Sequence, residues 1–414
     1  MPRKKKDKKI QEYVYDLAKA KEGVIPKKYH LGDDGYYWDI RPVGSPGSTN
    51  CYTAWVPAPD WAGNINAYLF EGPNIIVKAQ TKPICDVPPM KAGGRPLDNG
   101  NFILTDEEKN ELLRTDPVAE KFIRPYMAGK DFLYNIPRWC IWLKDVEPAD
   151  IRKCPRVLRR IEACRDYRLE SPKAVTQKLA EAPFLFAEIT ECQTNYLAIP
   201  KVSSGIRKYI PIGWLSPEVI PGDKLFMCEN SSLYQFGVLS SCVHMAWVKV
   251  IGMHLGTSFS YANQMLYNAF PWPRNPLFRT DPARFPDGNP YYVAIERTAQ
   301  AILDARAKYP RSSLADLYDE RTMPPELRKA HEANDEAVMK AYGFTRHFED
   351  NKFHDEDIAT NLMYMYKDMT RCTEYNRRSY PNRKLWLTYY PEDAEDDELE
   401  RFGIKDPYAE DDEE

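Results

Sequence analysis

Residues 231–255 read SSLYQFGVLSSCVHMAWVKVIGMHL. Apolar side chains recur there every three or four residues, through Leu233, Phe236, Val243 and Trp247, which places them on one face of a helix. The pattern predicts one long amphipathic helix over the whole stretch. Short strand-like segments lie on both sides of it, so this part of the chain is predicted to be a mixed α+β domain.

Short apolar segments bounded by turn residues predict the strands around this helix. Thr105 and Glu108 form a capping-box pattern that predicts a helix over 106–114, and Asp116-Pro117 predicts the start of another. Residues 10–21 have helical spacing. The predicted strands cover residues 74–78, 102–104, 138–143, 184–189, 195–200, 207–214, 225–229 and 258–261.

The character of the sequence changes after a Pro-rich stretch at 273–290. Helical patterns follow at 291–308, 324–342 and 354–370, separated by polar breaks, and they predict a small all-α domain. We therefore expect four parts in the chain. They are a basic arm with a Gly/Pro/aromatic-rich segment of unknown role (1–63), a mixed-sheet domain with the long helix (64–278), the all-α domain (279–370) and a disordered acidic tail (371–414).

Charge is distributed unevenly along the 414 residues, although the net charge is only −4. Residues 391–414 contain thirteen Asp or Glu and two basic residues, a balance of −11. Residues 121–280 contain 21 Lys or Arg and 13 Asp or Glu, a balance of +8. A basic globular segment favours nucleic acid or another polyanion as partner.

Several classes of protein are excluded by the composition and motifs. The nine cysteines include no C-x-x-C pair, and the six histidines form no H-E-x-x-H, so we expect no metal, no disulfide framework and a reducing cytoplasm. No run of 18 apolar residues is present, so no membrane span is expected. Neither G-x-G-x-x-G nor a P-loop occurs, so no cofactor is expected in this chain.

Three local patterns resemble catalytic motifs but fit structural roles. Residues 287–292 (DGNPYY) resemble the Asn-Pro-Pro-Tyr loop of adenine methyltransferases, but the second proline is missing and a helix follows. Asp98 with residues 107–109 (EEK) resembles a nuclease core, but these acids suit the first turn of a helix. His244 lies inside the apolar helix, where a hydrogen-bonded structural histidine is expected. We therefore expect no catalytic residue.

Basic and short polar side chains on one predicted helix and two loops are the candidate contacts to DNA. Arg and Lys neutralise phosphates, and short polar side chains can reach base edges. The helix is 155–179, and its candidates are Arg156, Arg159, Arg160, Arg165 and Arg168. The loops contribute Lys201, Ser203, Ser204, Arg207, Lys208, Asp223 and Lys224.

Residues 64–345 resemble the C-terminal half of the MmeI-like DNA methyltransferases, the fused type IIL restriction–modification enzymes. The resemblance is carried, in the family's order and with similar spacing, by a set of short segments. They are NINAYL (64–69), KPIC (82–85), EKFIRPY (120–126), RWCIWL (138–143), YIPIG (209–213), YQFGVLSS (234–241), HMAW (244–247), YNAFPWP (267–273), LADLYD (314–319), MPP (323–325) and AYG (341–343).

The resemblance implies a target-recognition domain that binds a specific sequence of duplex DNA, followed by a helical domain. In the family a preceding domain binds S-adenosylmethionine and methylates a flipped adenine. Only 63 residues precede the match here, whereas a doubly wound methyltransferase core needs more than about 150. We therefore expect no S-adenosylmethionine site in this chain. The expected partners are double-stranded DNA and a separately encoded methyltransferase, with no membrane.

One segment departs from the family pattern. The family presents charged base readers around the positions of Gly256 and Ser258, where this chain has Gly256, Thr257 and Ser258. Glycine has no side chain and serine reads bases ambiguously. The three residues complete the candidate DNA-binding set.

Two alternatives stay open at this point. In the first alternative, the chain is a truncated or split part of a site-specific adenine methyltransferase. In the second alternative, it is an interaction or inhibitor protein whose acidic tail mimics DNA.

Overall fold

The computed structural model describes residues 14–16, 29–31, 37–43, 52–57, 65–70, 72–273, 290–344 and 355–372. The predicted basic arm at 1–9 and almost all of the predicted acidic tail lie outside the described residues. The chain divides into two compact units, residues 1–76 with 345–364 and residues 77–344 with 365–414.

The first unit contains an antiparallel sheet with strand order β1-β4-β3-β2. The helix predicted over 10–21 is wrong at its centre, because Val14–Asp16 form a strand that pairs with Tyr52–Ala54. β-Branched and aromatic residues favour a strand when a pairing partner is present. The strands are β1 (Val14–Asp16), β2 (Tyr29–Leu31), β3 (Tyr37–Val43) and β4 (Tyr52–Pro57).

The second unit mixes short strands with helices of varied length, as the predicted α+β class requires. Its strands are β5 (Met90–Ala92), β6 (Ile103–Leu104), β7 (Ile123–Met127), β8 (Trp139–Ile141), β9 (Tyr196–Pro200), β10 (Val202–Ser204), β11 (Gly213–Leu215), β12 (Ile220–Pro221), β13 (Leu225–Glu229), β14 (Met253–Leu255) and β15 (Ser258–Ser260).

The helices divide between the strand-rich region and the all-α region that follows it. In the first they are α1 (Asp106–Thr115), α2 (Gly129–Tyr134), α3 (Pro148–Ile151), α4 (Pro155–Leu169), α5 (Ala174–Lys178), α6 (Leu233–Leu239), α7 (Cys242–Ile251) and α8 (Asn263–Leu266). In the second they are α9 (Pro290–Ala307), α10 (Leu314–Leu317), α11 (Pro325–Ala341) and α12 (Asp355–Cys372), the last of which has residues in both units.

Three small sheets organise the strand-rich region. Their strand orders are β11-β9-β13-β5, β12-β7-β8-β6 and β10-β15-β14, and β12 and β7 form a parallel pair. The second sheet packs against α1 and α4 through a core that includes Phe102, Phe122, Ile141 and Val157. The predicted capping box is present, since Thr105 accepts from the Glu108 N–H and Glu108 accepts from the Thr105 N–H.

The predicted single helix over 231–255 is wrong, because the chain forms two helices and then a strand. Ser240 ends α6, and extended Ser241 begins α7 by accepting a hydrogen bond from the His244 N–H at 3.3 Å. Gly252 ends α7 in an extended conformation, and a Cβ there would lie 2.3 Å from the Val248 carbonyl oxygen. Apolar periodicity continues across both breaks, so it does not reveal them.

Other predicted elements are shorter than expected or absent. The helix predicted over 155–179 is broken between α4 and α5 at Ser171-Pro172. The segment 184–189 contains only a single bridge, Arg95 to Glu188, and 74–78 has no strand. Of the segment 207–214 only its end enters a strand, β11.

No helix in the described parts of the chain is both long and apolar enough to cross a membrane. Within those same residues, no three His, Cys, Asp or Glu side chains are grouped as a metal site requires.

Candidate nucleic-acid interface

The loop that departs from the family pattern is the tip of a β-hairpin. β14 pairs with β15 so that Leu255 is opposite Ser258, which leaves Gly256 and Thr257 as a two-residue turn. Gly256 has φ +59°, and a positive φ at the first central residue is the pattern of a type II′ turn, where glycine is preferred. The glycine is therefore required by the backbone of the turn.

β10 lies against the other side of β15 and completes a three-stranded sheet. Beyond β10, the Gly205 N–H donates to the Thr257 carbonyl at 2.7 Å. A Cβ on Gly205 would lie 2.4 Å from that same oxygen, so the two loops approach too closely for any side chain at Gly205. The structure thus joins the predicted 201–208 loop to the 256–258 segment in one surface.

Alternation along β10 and β15 separates a buried face from an exposed one, whereas all three residues of β14 are exposed. Ser203 and Phe259 are directly opposite one another and both are buried. The prediction that Ser203 contacts a base is therefore wrong, because its hydroxyl points into the protein. The exposed face is made of Val202, Ser204, Met253, Leu255, Ser258 and Ser260.

Two lysines adjoin this sheet. The Lys201 N–H donates to the Lys224 carbonyl at 3.0 Å, which places the 222–224 loop beside β10. The Lys201 ammonium lies 4.5 Å from the centre of the Phe226 ring, and burial lowers the pKa of Lys201. Lys224 is exposed and lies 3.5 Å from the carboxylate of Asp223. Two lysines therefore lie beside the sheet, one partly buried and one exposed.

The two basic residues that follow β10 differ in access to solvent. Lys208 is exposed, with its ammonium 5.3 Å from the centre of the Tyr209 ring. Arg207 is buried, and its charge contributes to the low pKa of Asp319. The prediction of a DNA contact by Arg207 is wrong for this reason, whereas Lys208 stays a candidate.

The basic helix α4 also divides into paired and exposed arginines. Arg156 forms an ion pair with Glu111 at 2.7 Å, and Arg160 forms one with Glu108 at 3.5 Å, so both are directed at α1. The hydrogen bond from Arg156 lowers the pKa of Glu111. Arg159 and Arg165 are exposed. These two are the better candidates for phosphate contacts on this helix.

Arg168 is a structural residue, and its predicted role as a phosphate contact is wrong. Its side chain is 1% exposed, and its five N–H donors all reach backbone carbonyls at 2.8–3.2 Å. A guanidinium has five N–H groups, so none is left for a ligand. The five carbonyls belong to Pro96, Leu97, Leu179, Ala182 and Leu185.

The segment 93–97 connects the C-terminal end of α4 to the lysine-bordered sheet. At one end Arg168 donates to the Pro96 carbonyl at 2.9 Å. At the other the Gly94 N–H donates to the Pro221 carbonyl at 2.7 Å, and a Cβ on Gly93 would lie 2.2 Å from the Gly222 oxygen. The candidates on α4 and those beside the lysine-bordered sheet are therefore separated by a few extended residues, each of which spans roughly 3.3 Å of chain.

His244 is not a candidate base. It is buried in α7, its Nε2 is 3.0 Å from the Tyr261 hydroxyl, and burial lowers its pKa to about 3. The ring packs edge-on against Phe270 at 4.7 Å. His244 therefore stays neutral, is enclosed between α7 and the segment after β15, and has a structural role.

Comparisons with known proteins agree with this arrangement. The model of the MmeI target recognition domain matches residues 71–274, and that of the MmeI C-terminal domain matches residues 291–373. DNA methyltransferase A of Bacillus subtilis (strain 168) is 32% identical over 307 residues, which are 74% of this chain and 33% of that protein. A structure of the type IIL restriction–modification enzyme MmeI in complex with DNA superposes with a TM-score of 0.69 and 35% identity, covering 81% of this chain and 42% of that one.

The chain belongs to the MmeI family. It spans about a third of the length of the curated relative and 42% of the solved MmeI chain. The MmeI target recognition domain contains the sheet of β10, β14 and β15 together with α4. The MmeI C-terminal domain contains α10, α11, α12 and all of α9 except its first residue, Pro290.

Buried hydrogen bonds from α11 connect the MmeI C-terminal domain to the recognition domain. Asp335 accepts from the Tyr209 hydroxyl and from the Cys242 N–H, both at 2.7 Å. Asn334 donates to the Gly237 carbonyl at 2.8 Å. Because Cys242 is the first residue of α7, the Asp335 carboxylate also caps that helix.

The exposed apolar side chains of the three-stranded sheet were missed by the sequence interpretation. The predicted contacts are charged or small residues, and Val202, Met253 and Leu255 are not among them. Alternation gave little signal, because only Val202 is followed by a buried residue, whereas Met253, His254 and Leu255 are all exposed. In strands of three residues, a period of two cannot be recognised without the pairing partner.

Proposed function

We propose that this chain binds duplex DNA in a sequence-specific manner, as the recognition part of an MmeI-like restriction–modification system. The observation that carries the proposal is the exposed three-stranded sheet beside Lys201 and Lys224. The β14–β15 hairpin of this sheet is a two-stranded β-ribbon, which fits the major groove of about 12 Å. The described MmeI complex with DNA supports the same partner.

The exposed side chains divide into two functional groups. Ser204, Thr257 and Ser258 lie at or near the hairpin tip and contact base edges. Lys208, Lys224, Arg159 and Arg165 contact phosphates, which fixes the register of the protein on the duplex. The first group determines which sequence is bound, and the second supplies the salt-dependent part of the affinity.

Methyl transfer is assigned to a partner in this proposal. A methyltransferase that binds S-adenosylmethionine acts on the DNA that this chain recognises. The partner is a separate chain or another part of a longer protein. The complex works in the cytoplasm, where it meets its DNA.

The proposal is tested by measuring DNA affinity against salt concentration. Fluorescence anisotropy with a duplex selected from a random library gives the slope of log K against log salt for the wild type. The double variant Arg159→Ala/Arg165→Ala removes two phosphate contacts and lowers the magnitude of that slope by about 1.8, at about 0.9 per contact. The base preference found by selection stays the same, because phosphate contacts carry no direct sequence information.

Lys329→Ala is the matched control, because Lys329 is an exposed cation on α11 in the C-terminal domain. It leaves the slope unchanged. An affinity of the wild type that does not depend on salt, or a selection that returns no preferred sequence, refutes the proposed function.

A further inference from the structure

The exposed face of the β10-β15-β14 sheet carries three large apolar side chains. Met253 is 63% exposed, Leu255 is 60% exposed and Val202 is 45% exposed. Isolated apolar residues on a surface are ordinary, but three on one face of a small sheet require an explanation.

The strand register fixes how these side chains are arranged. Val202 and Met253 are both opposite Ser260, from the two sides of β15, and Leu255 is opposite Ser258. Neighbouring strands lie about 4.8 Å apart, so Val202 and Met253 are separated by roughly 10 Å, with serine hydroxyls between them. The face is therefore an apolar frame around short polar groups, and its β14–β15 hairpin is a two-stranded ribbon of the kind that the major groove of about 12 Å admits.

The charge around this face fits a polyanion. Residues 201–208 and 249–262 contain no Asp or Glu, whereas they contain Lys201, Lys208, Lys249 and the buried Arg207. Lys224, in the adjacent loop, is exposed. An apolar surface bordered by cations on both segments is better suited to DNA than to an apolar protein surface, because burying charged groups against apolar surface is unfavourable.

Only one apolar group is presented by the bases in the major groove, the C5-methyl of thymine. Leucine and methionine have no donor for a base edge, so methyl contact is the readout that their chemistry allows. We propose that Met253, Leu255 and Val202 read the 5-methyl groups of thymine in the recognised sequence. This inference rests on the proposed function, and it names how the hairpin selects bases without charged readers.

The experiment removes methyl groups one at a time from the selected duplex. Each thymine is replaced in turn by deoxyuridine, which differs only in the methyl and keeps the same hydrogen-bonding edge. At one or more positions the affinity falls about fourfold, the ratio that corresponds to about 0.8 kcal/mol for a buried methyl-sized group. Replacing a cytosine with 5-methylcytosine leaves the affinity unchanged at positions that no apolar side chain contacts.

Variants of the protein connect that effect to the hairpin. In Leu255→Ala and Met253→Ala the deoxyuridine substitution no longer changes the affinity at the position that each residue contacts. Leu169→Ala is the matched control, since Leu169 is a leucine with 48% exposure on α4, away from the sheet. It keeps the full sensitivity to deoxyuridine.

The outcomes separate this inference from the function on which it rests. Specific, salt-dependent binding with no deoxyuridine effect at any thymine overturns methyl reading and leaves DNA recognition intact. A selected sequence without any T·A pair does the same. If Leu255→Ala weakens association with a methyltransferase chain while DNA affinity is unchanged, the apolar face is a protein-binding surface and the inference is wrong. Absence of specific DNA binding refutes the proposed function itself.

Discussion

Replacing Arg168 with alanine destabilises the fold and leaves the salt dependence of DNA binding unchanged. The side chain is 1% exposed and is enclosed between α4, the helical turn at Leu179–Glu181 and the segment 93–97. Its five hydrogen bonds of 2.8–3.2 Å satisfy backbone carbonyls from three stretches of chain. Truncation leaves all of these carbonyls without that donor.

The magnitude follows from the number and kind of bonds lost. A hydrogen bond from a charged donor contributes about 1.5–3 kcal/mol, but five bonds to one group are not additive, and water entering the vacated space offsets part of the loss. Removing a member of a buried charged network costs about 3–5 kcal/mol. We therefore expect the free energy of unfolding to fall by about 4 kcal/mol, a large part of a typical 5–15 kcal/mol. Lysine at this position, with three donors, restores only part of it.

Urea unfolding followed by circular dichroism measures the loss, and Arg165→Ala is the matched control. Arg165 lies three residues earlier on α4 and is exposed, so its truncation changes stability by less than about 0.5 kcal/mol. The two variants differ in their effect on binding, because Arg165→Ala lowers the salt slope and Arg168→Ala leaves it unchanged. If Arg168→Ala were as stable as the wild type but bound DNA with a reduced slope, the structural role argued for Arg168 would be refuted.

Two further predictions concern Asp335, which caps α7, and Gly256 at the hairpin tip. Burial raises the pKa of Asp335 from 3.8 to about 6, so between these pH values the folded state keeps a proton that the unfolded state has lost, and stability falls as pH rises through this window. Relative to Asp335→Asn, the wild type therefore loses about 2 kcal/mol between pH 4 and 6, out of a total of about 3 kcal/mol at 1.36 kcal/mol per pKa unit. Urea midpoints that differ by a constant amount across this range would contradict the prediction. Gly256→Ala places a Cβ at φ +59° and weakens the hairpin by about 1–2 kcal/mol, measured as faster amide exchange in residues 253–260. Thr257→Ala is its control and leaves the exchange unchanged, because Thr257 supports Gly205 through its carbonyl alone; equal exchange in both variants would exclude the turn geometry.

The sequence predicts the α+β class, the capped start of α1 and the long helices of the C-terminal domain, because local patterns determine them. The Thr105 cap and the helical period within α9 and α11 need no distant partner. The break between α6 and α7 was not predicted, since part of what stabilises it comes from α11, where Asp335 accepts from the Cys242 N–H. Residues 93 positions apart in the sequence cannot be paired by periodicity.

The predicted contact residues differ in their access to solvent, which the sequence alone does not give. Charge counts identified α4 and the loop after β9, but they do not separate an exposed arginine from a buried one. Helical spacing contains part of that information, because Val157, Cys164 and Arg168 lie on one face of α4 and all three are buried. An arginine that continues an apolar stripe is expected to have carbonyl partners, and those partners come from loops whose position the sequence does not give.

Gly256 illustrates how the structure changes the interpretation of a missing charge. Compared with the family pattern, its lack of a side chain indicates a lost base contact. In the hairpin its positive φ is required for the turn, and the turn holds Leu255 and Ser258 opposite one another on the exposed face. A charged residue at 256 would strain the turn that positions those neighbours. The glycine is therefore consistent with a hairpin that presents base contacts from its flanking strands, where apolar and serine side chains alternate with the buried Phe259.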